Sequence, residues 1–138
     1  MTLQVEMLKL LPADRIIIPK SEFRMVQHHA IYLGKDHFGQ DLIIENKIGV
    51  GVRVITAVEF FKDSIEITRI ERFRGSNDQR KLAVQTALKK ASLPYNLINY
   101  NCEHFANEIQ YGRIESEQVG RTAVGLMVIL LFGLLLTD

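Results

Sequence analysis

The sequence predicts an α+β fold, and three observations carry that prediction. Short β-branched runs fill the stretch from Asp14 to Thr68, a helical period replaces them after Gly75, and the last residues are apolar on every face. Strands first and helices afterwards mean an antiparallel sheet packed against helices rather than alternating βα units. A chain of 138 residues has room for one core and one cleft, with a tail beyond them. The expected organisation is one domain over residues 1–118 and a hydrophobic C-terminal helix over 119–138.

The strand half divides into runs at 15–18, 30–33, 42–44, 52–56 and 65–70, separated by Gly, Asp and Lys turns. Gly34, ahead of Lys35 and Asp36, and Gly49 with Gly51 stand where tight turns call for positive φ. Beyond Gly75, Ser76 or Asn77 caps a helix, with Gln79 following. Leu82, Ala83, Ala87, Leu88 and Ala91 then form one stripe that packs on the sheet until Pro94 stops it. A second helix begins at Asn101, a good N-cap, and runs to about Tyr111, where Gly112 closes it.

The stretch 122–136 cannot be an ordinary surface helix, which carries one apolar stripe and not an apolar circumference. It needs lipid or a partner. Fifteen residues at about 1.5 Å each reach roughly 22 Å, short of a hydrocarbon core of about 30 Å. Extending back to Val119 brings in Arg121, which must snorkel to the headgroups. A membrane anchor is expected here in preference to a core or oligomer helix. Arg113 and Arg121 before the stretch and Asp138 after it place the domain on the cytoplasmic side. Gly120, Gly125 and Gly133 let tail helices approach closely, so tail-mediated self-association is open.

Seventeen Lys and Arg against 16 Asp and Glu leave a net charge of +1, without the basic footprint that nucleic acid requires. The single cysteine forms no internal disulfide and is a poor basis for a zinc site. No metal or cofactor is implied. The first fifteen residues lack the apolar run and small-residue cleavage site of a signal peptide, so a reducing compartment is expected.

The chemistry gathers at Asn101-Cys102-Glu103-His104-Phe105-Ala106. Cys102 falls in the first turn of the second helix, where unpaired N–H groups and the helix dipole favour a thiolate. It shares a face with Phe105, Ala106 and Ile109, so the thiol looks inward. The Cys102 backbone N–H, at the helix start, suits an oxyanion. A lone cysteine on an apolar face is nonetheless more often a small buried hydrophobe than a nucleophile. His104 turns elsewhere on the helix and is read as structural or surface, and His37 as a solvated turn residue. His28 and His29 open a strand and alternate between its faces, so one of them can face Cys102; spacing does not choose between them. Glu45 and Asn46, at the end of the next strand, are the candidates to orient a histidine base.

These residues resemble the lecithin:retinol acyltransferase family, especially its small phospholipid acyltransferase and phospholipase members. Leu11-Pro12-Ala13-Asp14 is similar to the entry motif and His28 through Gly34 to the histidine strand. Asn101 through Phe105 is similar to the nucleophile signature, and the segments after it and the apolar tail also run similarly. The resemblance implies a permuted papain-like fold. It makes Cys102 the nucleophile and His28, first of the pair, the general base, with His29 in the core or at the rim. The family's second histidine falls on Glu45, or on Asn46 if the loop is gapped differently. A carboxylate there orients imidazole but also raises its pKa. The implied activity is acyl transfer or phospholipase A hydrolysis on glycerophospholipid esters through a Cys thioester, at a membrane reached through the tail. A papain-like peptidase or amidase, and a membrane-bound adaptor that keeps the fold, are the rival readings.

Overall fold

The computed structural model describes residues 3–20, 23–63, 66–96 and 100–112. An N-terminal turn of helix, α1 (Leu3–Leu8), leads into β1 (Arg15–Lys20), β2 (Phe23–Lys35), β3 (Asp41–Lys47) and β4 (Gly51–Thr56). A single helical turn, α2 (Ala57–Phe60), follows, then a short β5 (Arg69–Glu71) and the two longer helices α3 (Asn77–Lys89) and α4 (Cys102–Tyr111). The expected α+β class holds: five strands pair antiparallel in the order β4-β3-β2-β1-β5.

Alternation along the strands builds a core on each face of the sheet. One face carries Ile16, Ala30, Tyr32 and Ile43, covered by Val5 of α1, by Ala57 and Phe60 of α2 and by Phe61. The other carries Ile31, Ile44 and Val52, covered by Ala83 and Ala87 of α3 and by Phe105, Ala106 and Ile109 of α4. The helix starts follow local chemistry. Ser76 and Gln79 form a reciprocal capping box on α3. Asn101 accepts from the Glu103 and His104 N–H groups on α4, and Gly112 ends that helix in the left-handed conformation at φ 71°.

Asp14 ties the sheet to the helices. Its fully buried carboxylate accepts from the Leu11 and Phe73 N–H groups and from Arg72 and Arg80. Burial alone would raise its pKa. The Leu11 N–H, then Arg80, the Phe73 N–H and Arg72 outweigh that and hold it below the ordinary carboxylate range.

Three sequence expectations are corrected. The strand expected over 65–70 is only Arg69–Glu71, paired to β1, and Ile65 lies outside the described residues. The α3 stripe narrows to Ala83 and Ala87, while Leu82 and Leu88 are exposed, because small side chains at i and i+4 let the helix lie close to its neighbours. The one-turn helices α1 and α2 carry no legible period and were not expected. Among the described residues no helix is long and apolar enough to cross a membrane. The apolar stretch 122–136 and the boundary at 118–119 lie outside the described residues.

Candidate active site

His28 points to the α1/α2 side of the sheet, its ring 6.2 Å from that of Phe60. α4 packs on the opposite face. The two meet through a parting of the sheet. The β2–β3 ladder stops at Ala30 opposite Glu45, and His29 and His28 are not paired with Asn46 and Lys47. Asn46 instead donates to the Tyr100 carbonyl at 2.8 Å, so the residues entering α4 lie against the end of β3. The Cys102 sulfur comes within 3.8 Å of the Gln27 carbonyl on β2 and hydrogen-bonds the His28 ring.

Cys102 is buried as the first residue of α4, with Asn101 as its N-cap. The first helical bond runs from Phe105 N–H to the Asn101 carbonyl. The Cys102 N–H therefore belongs to the group at a helix start that has no acceptor within the helix. Both the dipole and these N–H groups favour negative charge at this position.

Behind the imidazole stands Glu45. His28 Nε2 lies 2.7 Å from Glu45 Oε1, and Arg53 Nε donates to Glu45 Oε2 at 2.7 Å. With Nε2 committed to Glu45, the ring nitrogen available to Cys102 is Nδ1. Burial alone would lower the His28 pKa; hydrogen bonds to Cys102 and then to Glu45, with their charges, outweigh it and raise it to about 9. Glu45 moves the other way. Burial pushes it up, but its bonds and charge interactions with His28 and then Arg53 hold it below the ordinary range. The ring is therefore held toward its charged form between the Cys102 sulfur and the Glu45 carboxylate.

Of the two orienting candidates, Glu45 faces His28 and Asn46 faces away to Tyr100. His29 is buried on the other face, where Arg15 donates to its Nδ1 from Nε at 2.9 Å. Burial and then the Arg15 charge lower its pKa to about 3, so it is a neutral acceptor. His104 is structural. Its Nδ1 accepts from the Asn101 N–H at 3.0 Å, completing a second capping box. His37 is exposed in the turn between β2 and β3.

Two neighbours escaped the sequence reading. Arg53 sits directly opposite Glu45 in the β3–β4 register, a pairing that counting back from the turn at Gly49 and Gly51 would have given. Tyr95 has its phenol pushed up to about 12 by burial and then by the negative charge of Cys102, so it stays protonated. No periodic signal marks it. A cleft of about 560 Å³ opens on the His28 side, with Ile18, Ile55 and Phe60 as apolar wall and Glu45, Arg53 and Lys62 among its polar lining. Among the described residues no group of three or more His, Cys, Asp or Glu side chains is placed to hold a metal ion.

A thiol at a helix start, an imidazole bonded to it and a carboxylate behind the imidazole thus stand in one line. The family model for lecithin retinol acyltransferase matches residues 9–115, and the chain belongs to that family. Membership puts it among proteins of acyltransferase or phospholipase-like activity in general. No curated protein matches the chain.

Proposed function

We propose that the chain cleaves an acyl ester of a glycerophospholipid through a thioester on Cys102. The observation that carries this reading is the line from Arg53 through Glu45 and His28 to Cys102. The thiolate attacks the ester carbonyl, forming the C–S bond. The Cys102 N–H faces the oxyanion that develops. The His28 imidazolium then gives its proton to the departing glycerol oxygen as the C–O bond breaks. In the second half, water or an acceptor hydroxyl or amine gives its proton to His28 and attacks the thioester, and the thiolate leaves. Water makes the chain a phospholipase A and another acceptor makes it an acyltransferase.

Lipid as the substrate class is supported by the cleft beside His28, whose Ile18, Ile55 and Phe60 give an apolar wall for an acyl chain. It is supported too by the apolar stretch 122–136, which suits a chain held at a bilayer on its cytoplasmic side. The decisive measurement is the intact mass of the full chain after incubation with a diacyl phosphatidylcholine, compared with Cys102→Ala and His28→Ala. An acyl-sized increase in the native chain alone is the expected result. No adduct and no lipid turnover at any pH between 5 and 10 would overturn the reading.

A further inference from the structure

A carboxylate directly behind a catalytic imidazole raises a difficulty in the second half of the reaction. While Cys102 is a thiolate, an imidazolium beside it is favoured, and acylation uses that proton. Once the thioester has formed, the sulfur is neutral and His28 must be unprotonated to take a proton from water or acceptor. A bare, buried Glu45 would hold the ring in its charged form and stall that step. Glu45 is not bare. Its second oxygen is held by Arg53, its cross-strand partner, whose side chain is 32% exposed at the wall of the cleft while that of Glu45 is 4% exposed.

We propose that Arg53 is a positioning residue that acts through Glu45: by sharing the carboxylate it keeps one oxygen on His28 Nε2 and weakens that oxygen's hold on the imidazolium enough for His28 to serve as base in thioester breakdown. The inference rests on the thioester reading above. The C–O bond to the incoming oxygen forms and the C–S bond breaks. The nucleophile's proton passes to His28, and the thiolate returns beside the imidazolium.

Among the described residues, the other ionisable groups around His28 do not duplicate this contact. Cys102 at the start of α4 and Tyr95 ahead of it stand on the thiol side of the ring. Lys47 of β3, Glu59 of α2, and Lys62, Asp63 and Glu66 after it line the cleft. Lys62 is paired with Glu59 at 2.6 Å. Among the described side chains of β1, Ile18 and Pro19 line the cleft.

The test uses full chains carrying Cys102→Ala, which puts a neutral group where the thioester sulfur would be, with the His28 titration followed by NMR. Arg53→Gln in that chain is expected to raise the His28 midpoint by about one pH unit, the low end of what a neighbouring charged group does to a pKa. With Glu45→Gln also present, the same change is expected to move it by less than a third as much. Arg53→Lys is expected to return the midpoint toward that of the parent. No rise on Arg53→Gln, or an equal rise with and without Glu45, would overturn the proposal. With Cys102 intact, the acyl adduct on Arg53→Gln is expected to persist about tenfold longer at pH 7 and to recover its native lifetime about one pH unit higher. A native chain that forms no adduct defeats the thioester reading, whereas the histidine titration still decides whether Arg53 acts on His28 through Glu45.

Discussion

Glu45→Gln isolates what the carboxylate does to the base. The substitution keeps an oxygen that can face His28 Nε2 and removes the charge. In the native site the ring stands at about 9 against its ordinary 6.5. At about 1.4 kcal/mol per pH unit, that favours the imidazolium by about 3 kcal/mol. Cys102 leads the groups that raise it and Glu45 follows; a neighbouring opposite charge moves a pKa by at least about one unit, so about 1.4 kcal/mol of that preference is assigned to Glu45. Iodoacetate reads this directly. The reagent is anionic and favours a thiolate with an imidazolium beside it, so the native alkylation rate falls as pH rises through about 9. In Glu45→Gln the falling limb is expected about one unit lower, read as intact mass against time across the pH range. A limb that stays at the native position, or moves upward, would refute the account of Glu45 as the group that sustains the imidazolium.

Further outcomes follow from other contacts. Asp14→Ala removes four acceptor bonds and leaves Arg80, 15% exposed, without its carboxylate. A loss of about 3–5 kcal/mol in urea unfolding is expected, and a loss below 1 kcal/mol would count against the hub. Asn101→Ala removes the side chain that accepts two N–H groups at the start of α4, at a cost of about 1–2 kcal/mol by the same assay, with slower alkylation of Cys102. Gly51 stands at φ 94°, where an added Cβ would meet the Leu93 carbonyl oxygen, so Gly51→Ala is expected to lower the melting temperature by several degrees. His29, at about 3 when folded, contributes stability that is complete above 6.5 and lost as pH falls toward 3. Between pH 6.5 and 5 that loss amounts to about 2 kcal/mol, and His29→Gln, which keeps an acceptor for Arg15, is expected to flatten the decline.

The parts of this fold written in local chemistry could be read from the sequence residue by residue. Asn101 and Gly112 bound α4 because a side-chain acceptor and a left-handed glycine act within one turn. The turns α1 and α2 were hidden because helices this short lie below the length at which a period shows; burial of Val5, Ala57 and Phe60 against the sheet is what holds them. The choice between Glu45 and Asn46 was hidden for a sharper reason. A bulge between Tyr32 and Gly34 shifts the β2–β3 register by one residue. Counted back from the turn without it, Asn46 rather than Glu45 falls on the face of His28, since a one-residue slip exchanges the faces of a strand. Cys102 was marked by its place at a helix start, and Cys102 and His28 by segments that resemble the family's, but their meeting across the parted strands is a tertiary fact that no local pattern carries.

The parting of β2 from β3 also ties the chemistry to the docking of one helix. His28 and Glu45 lie on neighbouring strands, while the Cys102 sulfur arrives from α4, held by Asn46 to Tyr100, Arg15 to Asn107, and Gln110 to the Ala13 and Glu71 carbonyls. The ladders joining β1 to β4 contain none of these contacts. Lifting α4 by one turn would leave the strands β1 to β4 paired and still separate Cys102 from His28. On the proposed mechanism the chain would then fall silent while its sheet stays whole, and heat or mild denaturant is expected to extinguish turnover well before the strand signal in circular dichroism declines.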